Sequence, residues 1–139
     1  MCGECCQGEG GIVFGPRDLR RLCSHLHMEA GKVVEVYGYW QGGKIKIRTN
    51  SDNCCIFFLP GTGCSIHMAK PDICRAWPFF RGNMVDEGSL AMAKKFCPGI
   101  DPAIGHDAFV RAGLRYLKEH QLRASEPEHE ATALIGVLP

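Results

Sequence analysis

Nine cysteines stand in a chain of 139 residues, and cysteine thiolates are strong ligands for zinc and iron. The opening run Met1-Cys2-Gly3-Glu4-Cys5-Cys6 separates Cys2 and Cys5 by two residues, a spacing that lets one turn of backbone offer both sulfurs to one ion. Cys6 is expected to point elsewhere, to another side of the same centre or to a second one. Cys55, Cys64, Cys74 and Cys97 follow at intervals too long for one zinc knuckle, so they must converge through tertiary structure. The chemistry on offer is a structural or redox metal centre, iron-sulfur or zinc. A disulfide framework fits worse, because the count is odd, Cys5-Cys6 and Cys54-Cys55 are adjacent pairs, and the start lacks the pattern of an export signal.

The rest of the composition narrows the partners. Sixteen basic against fifteen acidic residues leave a formal charge of +1, without the basic excess that phosphate backbones attract, so nucleic acid is not expected. No apolar run approaches the ~18 residues needed to cross a bilayer, so no membrane partner is expected and the cytoplasm is the expected location. With 45% hydrophobic residues, one domain of this length can bury a core of its own. A metal is therefore not needed merely to supply a core.

The elements that must position these cysteines are read from periodicity. Leu19, Leu22, Cys23 and Leu26 recur at helical spacing and predict an amphipathic helix over 17–28, entered through Pro16, with Cys23 facing the core. Residues 33–40, rich in valine and aromatics, predict a strand; Gln41-Gly42-Gly43 predicts a turn; the alternation Lys44-Ile45-Lys46-Ile47-Arg48 predicts the return strand. Residues 51–83 carry little periodicity, as expected of a segment held by ligands rather than by backbone ladders. A short helix is predicted over 89–96, stopped by Cys97-Pro98-Gly99, and a longer one over 107–122, with Phe109, Val110, Gly113, Leu114 and Leu117 on one face. Residues 124–139 read as a mobile tail able to dock. The expected architecture is α+β: a single small domain over 1–123 with a cysteine-rich irregular metal-binding core, a β-hairpin and two to three helices.

Several segments together carry a resemblance: the opening Cys2-Gly3-Glu4-Cys5-Cys6, then Cys55-Ile56-Phe57-Phe58, Gly63-Cys64-Ser65-Ile66-His67, Lys70-Pro71-Asp72-Ile73-Cys74-Arg75-Ala76-Trp77-Pro78-Phe79 and Cys97-Pro98-Gly99-Ile100. In this order they resemble the YkgJ-type cysteine-cluster family, a zinc- or iron-chelating family whose opening motif is C-x2-C-x2-C-C. The resemblance implies metal ligands at Cys2, Cys5, Cys6, Cys55, Cys64, Cys74 and Cys97, seven of eight family positions. The first cysteine of the motif would fall two residues before Met1, which leads to the expectation of a natural start further upstream. A related cluster in a flagellin lysine methylase has an iron-sulfur centre, which tilts the metal toward iron; methylation is not implied, because no glycine-rich cofactor loop is present. Four of the seven thiols suffice for a cluster such as [4Fe-4S]. Two zinc sites of four thiolates each would need His67 as the eighth ligand.

Other residues are weighed against plainer roles. His67 is expected to pack or hydrogen-bond rather than ligate, Arg75 to offset thiolate charge or form a surface ion pair, and Trp77, Phe79 and Phe80 to form a dry lid over the centre. Cys23 and Cys54 stand outside the family pattern and are left out of the ligand set. No Ser-His-Asp or Cys-His arrangement is identifiable, so catalysis is not the expectation. The function read from the sequence is a metal-binding protein holding an iron-sulfur cluster or zinc in a structural or redox role. Its alternative is an electron-transfer protein or an accessory subunit of a metalloenzyme. The sequence specifies no protein partner.

Overall fold

The first helix, α1 (Pro16–Leu26), starts where the Asp18 carboxylate accepts the Gly15 N–H at 2.8 Å, and it ends on His27 in the left-handed conformation. Its apolar stripe buries Leu22 completely and half-buries Leu19, Cys23 and Leu26, in agreement with the periodicity. The computed structural model describes residues 2–8 and 11–138.

The next element corrects an expectation. Residues 33–37 are not strand: α2 (Ala30–Tyr37) is a helix, with Val33 fully buried. Three valines favour a strand only weakly, and burial of Val33 in the core shared with α1 outweighs that preference. The strand begins one residue later. Strands β2 (Gly38–Gln41) and β3 (Lys44–Ile47) form the expected hairpin, Trp40 opposite Ile45. Gly42 and Gly43 have φ of 59° and 76° at its turn, the left-handed values that a two-residue hairpin loop demands. Strand β1 (Val13–Phe14) adds to the other side of β3, giving an antiparallel sheet in the order β1-β3-β2.

The stretch from 51 to 83 contains more structure than its lack of periodicity suggested. It holds the two-residue strands β4 (Phe58–Leu59) and β5 (Gly63–Cys64), a 3-10 turn (His67–Ala69), α3 (Asp72–Ala76) and the start of α4 (Arg81–Val85). Helix α5 (Glu87–Phe96) is capped by Asp86, whose carboxylate accepts the Ser89 N–H at 2.6 Å. Helix α6 (His106–Glu119) buries Phe109, Gly113 and Leu117. A Cβ on Gly113 would lie 2.6 Å from Met84 Sδ and 2.7 Å from Phe79 Cδ1, so glycine is what lets α6 come this close to α4. The fold is α+β; α2, α3 and α4 are additions to the three helices expected.

The side chains gather into two apolar clusters. One lies between α1, α2 and the three-stranded sheet, with Phe14, Leu22, Val33, Ile45, Ile47, Cys55, Phe57 and Ile66 buried. The other lies among α3 to α6, with Ile73, Ala76, Met84, Leu90, Ile100, Phe109 and Leu117 buried. In the segment after residue 123, read from the sequence as a mobile tail, Ala131, Leu134 and Val137 are buried in the second cluster.

Candidate metal centre

The opening cysteines are shaped by a glycine. Gly3 lies between Cys2 and Cys5 at φ 82°, and the Phe58 ring occupies the space where a Cβ would stand. The left-handed turn leads into a 3-10 turn over Glu4–Cys6, closed by the Cys6 N–H donating to the Gly3 carbonyl at 2.9 Å. The Cys6 carbonyl accepts the Cys55 N–H at 2.7 Å, Gly8 N–H donates to the Asn53 carbonyl at 2.9 Å, and Gln7 pairs with Cys54. Two segments distant in sequence thus place Cys5-Cys6 against Cys54-Cys55 by backbone bonds alone. Cys64 joins from β5, opposite Phe58 on β4.

Cys74 comes from α3, and that helix is aimed by ion pairs. Asp18 on α1 is buried; its Oδ1 accepts the Asp72 N–H at 2.8 Å, capping α3 from another element. Arg21 bridges Asp18 Oδ1 at 2.7 Å and Asp72 Oδ1 at 2.8 Å, and it donates to the Lys70 carbonyl at 2.6 Å. Arg17 reaches Asp72 Oδ2 at 2.9 Å and the Arg123 carbonyl at 3.1 Å. Burial, with the Asp72 carboxylate beside it, pushes Asp18 up to about 6 against the pull of the Gly15 and Asp72 N–H groups and of Arg21. Sequence reasoning missed this network. Asp18 and Arg21 are three apart on a helix, a visible pairing, but nothing local announces Asp72 as their shared partner.

The thiols brought together are those of Cys5, Cys6, Cys55, Cys64 and Cys74, each felt by others of the set. The adjacent Cys6 thiol lowers Cys5 to about 6, and Cys5 in turn raises Cys6, on which burial and Cys55 and Cys74 also bear. Burial pushes the Cys74 thiol up, and Cys55, Cys5 and Cys64 push it further, while Lys70 pulls it down. Burial likewise raises Cys55, with Cys64 and Cys54 adding to it. Clustered thiols that resist ionisation in one another's company are what a bound cation would relieve, and sulfur donors select zinc or iron over hard cations.

Cys2 is exposed and takes no part in these interactions, and Cys97 stands to one side. Half-buried at the end of α5, Cys97 accepts a hydrogen bond from Trp77 Nε1 at 3.3 Å. Among the described residues no three His, Cys, Asp or Glu side chains are drawn into the tight geometry of a closed metal site. The five thiols are neighbours, then, and not yet a coordination shell.

The remaining candidates take simpler places. His67 is exposed on its 3-10 turn and makes no hydrogen bond to a described residue. Arg75 makes no ion pair among the described residues; its carbonyl accepts the Tyr116 hydroxyl at 3.1 Å. Of the three aromatics expected as a lid, Trp77 meets Cys97, Phe80 stands edge-on to Trp77 at 5.1 Å, and Phe79 turns into the second cluster, 5.0 Å from Phe109. Cys23 and Cys54 are half-buried, Cys23 against the first cluster.

The match to known families falls on this region. Residues 1–98 match the CxxCxxCC family, described as "Putative zinc- or iron-chelating domain", and the chain belongs to that family. No curated protein and no solved structure matches the chain. No helix among the described residues is long and apolar enough to cross a membrane.

Proposed function

We propose that this member of the CxxCxxCC family holds iron or zinc in a centre that joins its two apolar clusters, with Cys5, Cys6, Cys55, Cys64 and Cys74 as the inner donors and Cys2 and Cys97 closing the site from its rim. One observation carries the reading: the cysteines that act on one another electrostatically come from both sides of the seam. Cys6, Cys55 and Cys64 pack with the first cluster and Cys74 with the second. An ion bound there would add to the link that β1 makes between the clusters, with Val13 in the second and Phe14 in the first. Metal-binding energy then becomes folding energy.

Iron in an iron-sulfur cluster is the preferred cargo. Cys2 and Cys5 are exposed, so the centre borders solvent, and an electron could enter or leave it across a short distance. That observation favours a second, redox reading, as an electron-transfer protein or a metalloenzyme accessory subunit. When bound, the metal supplies charge neutralisation and, if iron, a one-electron couple. The chain's own residues supply the donors, the Asp18–Arg21–Asp72 braces that fix Cys74, and the Phe58 ring that fixes the Cys2–Cys5 turn.

Anaerobic purification followed by metal and acid-labile sulfide analysis tests the assignment. Iron with stoichiometric sulfide supports the cluster; zinc without sulfide supports a structural ion. Less than about a tenth of an equivalent of any transition metal, at the affinity such sites have, would remove the reading altogether.

A further inference from the structure

The C-terminal segment touches both halves of the core, yet its backbone is bonded to neither. Among the described residues every backbone hydrogen bond of 124–138 stays inside the segment. The His129 and Glu130 N–H groups donate to the Glu126 carbonyl at 2.9 and 3.0 Å, Leu134 N–H to Ala131 at 3.0 Å and Ile135 N–H to Thr132 at 3.1 Å. The buried Glu130 carboxylate ties it further from within, accepting the Ser125 and Glu126 N–H groups. Side chains alone fasten it to the body. Ala131, Leu134 and Val137 enter the second cluster, with the 3-10 turn Thr132–Leu134 lying on α3 and α4. Lys44 Nζ donates to Thr132 Oγ1 and His129 Nδ1 meets the Gly43 carbonyl, each at 3.1 Å, at the β2–β3 turn. A segment joined in this way can leave without breaking a helix or a sheet.

Its seat is under tension at two places. Glu130 lies against Gly15, where a Cβ would stand 2.9 Å from Glu130 Cγ, so glycine is what lets the segment close. Arg17 Nη2 carries two hydrogens and faces three acceptors: Asp72 Oδ2 on α3 at 2.9 Å, and the Arg123 and Gln121 carbonyls at 3.1 and 3.4 Å. Arg17 Nε is buried and has no partner among the described residues, a donor that opening would return to water. One nitrogen thus holds both α3 and the root of the segment. The body is firm up to that root: Leu122 is buried and its N–H donates to the Leu117 carbonyl at 2.9 Å, after Gln121 has turned the chain at φ 54°.

We propose that residues 124–138 are a strap that opens as one unit about Arg123–Ala124 while the rest of the domain stays folded, and that its opening loosens α3. The motion requires no metal. Closed, the strap covers the side of the second cluster that holds Val13 and Ile73, and its root shares Arg17 with Asp72. Open, it takes Leu134 off α3 and leaves that five-residue helix to its contacts with α1.

Native-state hydrogen exchange read by mass spectrometry tests it on full-length wild type, Gly15→Ala, Leu134→Ala and Val33→Ala. Gly15 has φ −76°, which alanine adopts, so the new methyl acts on Glu130 and not on the backbone of α1. Val33→Ala lowers global stability from the first cluster, away from the strap. In wild type, 124–138 should exchange faster than 106–119, at a rate that low urea leaves unchanged, as a local opening exposes little new surface. Gly15→Ala and Leu134→Ala should each speed exchange several-fold in 124–138 and in 72–76 while 106–119 keeps its wild-type rate. Val33→Ala should speed 106–119 and leave the opening of the strap as it was. If Gly15→Ala does not fold, Leu134→Ala decides. Equal rates and equal urea dependence in 124–138 and 106–119 of wild type overturn the strap, as does an equal gain in both segments in Val33→Ala. Faster exchange in 124–138 with 72–76 unchanged overturns its hold on α3.

Discussion

The two halves of the core solve the same problem by different means. Around the second cluster, α5 and α6 are long enough to present whole apolar faces, and Phe79 adds aromatic contacts to Phe109 and to Tyr116 at 5.0 and 5.5 Å. Around the first, a sheet with one two-residue edge strand and a run of short turns covers Phe57 and Ile66, with the rings of Tyr37 and Phe57 4.8 Å apart and tilted by 33°. A two-stranded ribbon such as β4–β5 is marginal by itself. The second half stands on helix packing; the first has α1 and α2 on one side, but its 54–64 segment has backbone pairing too short to stand alone and a concentration of cysteines where that pairing stops. Cysteine density therefore follows the need for cross-linking and not the position of the largest core.

Metal removal should break this contrast open most widely. With free metal a thousandfold above its Kd, binding contributes about 4 kcal/mol to stability, and a thiol-competing chelator should lower the melting temperature accordingly. Hydrogen exchange should then speed up in 54–64 before it does in 87–119. Equal loss of protection in both segments would show that the halves do not differ.

The braces between the halves come next. Asp18→Ala leaves Arg21 and the Asp72 N–H short of a buried partner, a loss of about 3 kcal/mol, and it should weaken metal retention together with stability because α3 carries Cys74. Asp18→Asn separates charge from shape. The native value near 6 lies above the ordinary 3.8, so the folded state holds that proton more tightly than the unfolded chain does. The resulting stabilisation is complete below about pH 3.8 and disappears as pH rises through 6. The groups facing Asp18 are Arg21 on its own helix, Asp72, and Glu130 and Arg123 across a small cavity. Wild type should therefore lose stability between pH 4 and 7 relative to Asp18→Asn in paired denaturant titrations. Parallel curves would discount the burial of Asp18.

Two glycines sharpen the contrast further. Gly113→Ala forces a methyl against Met84 and Phe79 and should cost about 2 kcal/mol by overpacking while metal content stays at its wild-type level. Gly3→Ala meets the Phe58 ring at a left-handed backbone, costs a similar amount of about 2 kcal/mol, and should lower metal content because it displaces the Cys2–Cys5 turn. Reversed metal contents in these two proteins would contradict the division. The smallest effect belongs to Cys23→Ala: about 1 kcal/mol of trimmed packing, visible in a thermal melt, with no metal lost.

How much of this was legible depends on the range of the forces involved. The helices α1, α5 and α6 were visible because their apolar stripes repeat locally, and the β2–β3 turn because Gly42-Gly43 declares it. Residues 33–37 misled because their β-branched composition is a local signal and the burial of Val33 against α1 is not. The cysteine set could be gathered by spacing and family resemblance, and the structure brings Cys5, Cys6, Cys55, Cys64 and Cys74 into one neighbourhood. Asp18 capping α3 across 54 residues, the Phe58 ring filling the space beside Gly3, and the indole of Trp77 turned to Cys97 are contacts between distant segments, and no periodicity encodes them.

The bond from Cys55 N–H to the Cys6 carbonyl has a consequence for the timing of synthesis. The turn carrying Cys5 and Cys6 leaves the ribosome early, yet its backbone partners at 53–55 and the helix bearing Cys74 are made later. At about 5–20 residues per second, these thiols wait several seconds before residues 53–55, which pair with their backbone, exist, and longer before Cys97 arrives. During that interval they are unpaired sulfur on a nascent chain, open to oxidation or to capture of a stray ion. A ribosome-arrest series stalled before and after residue 55 has emerged, probed with a thiol-reactive tag, should show Cys5 and Cys6 passing from reactive to protected at the second stall and not at the first.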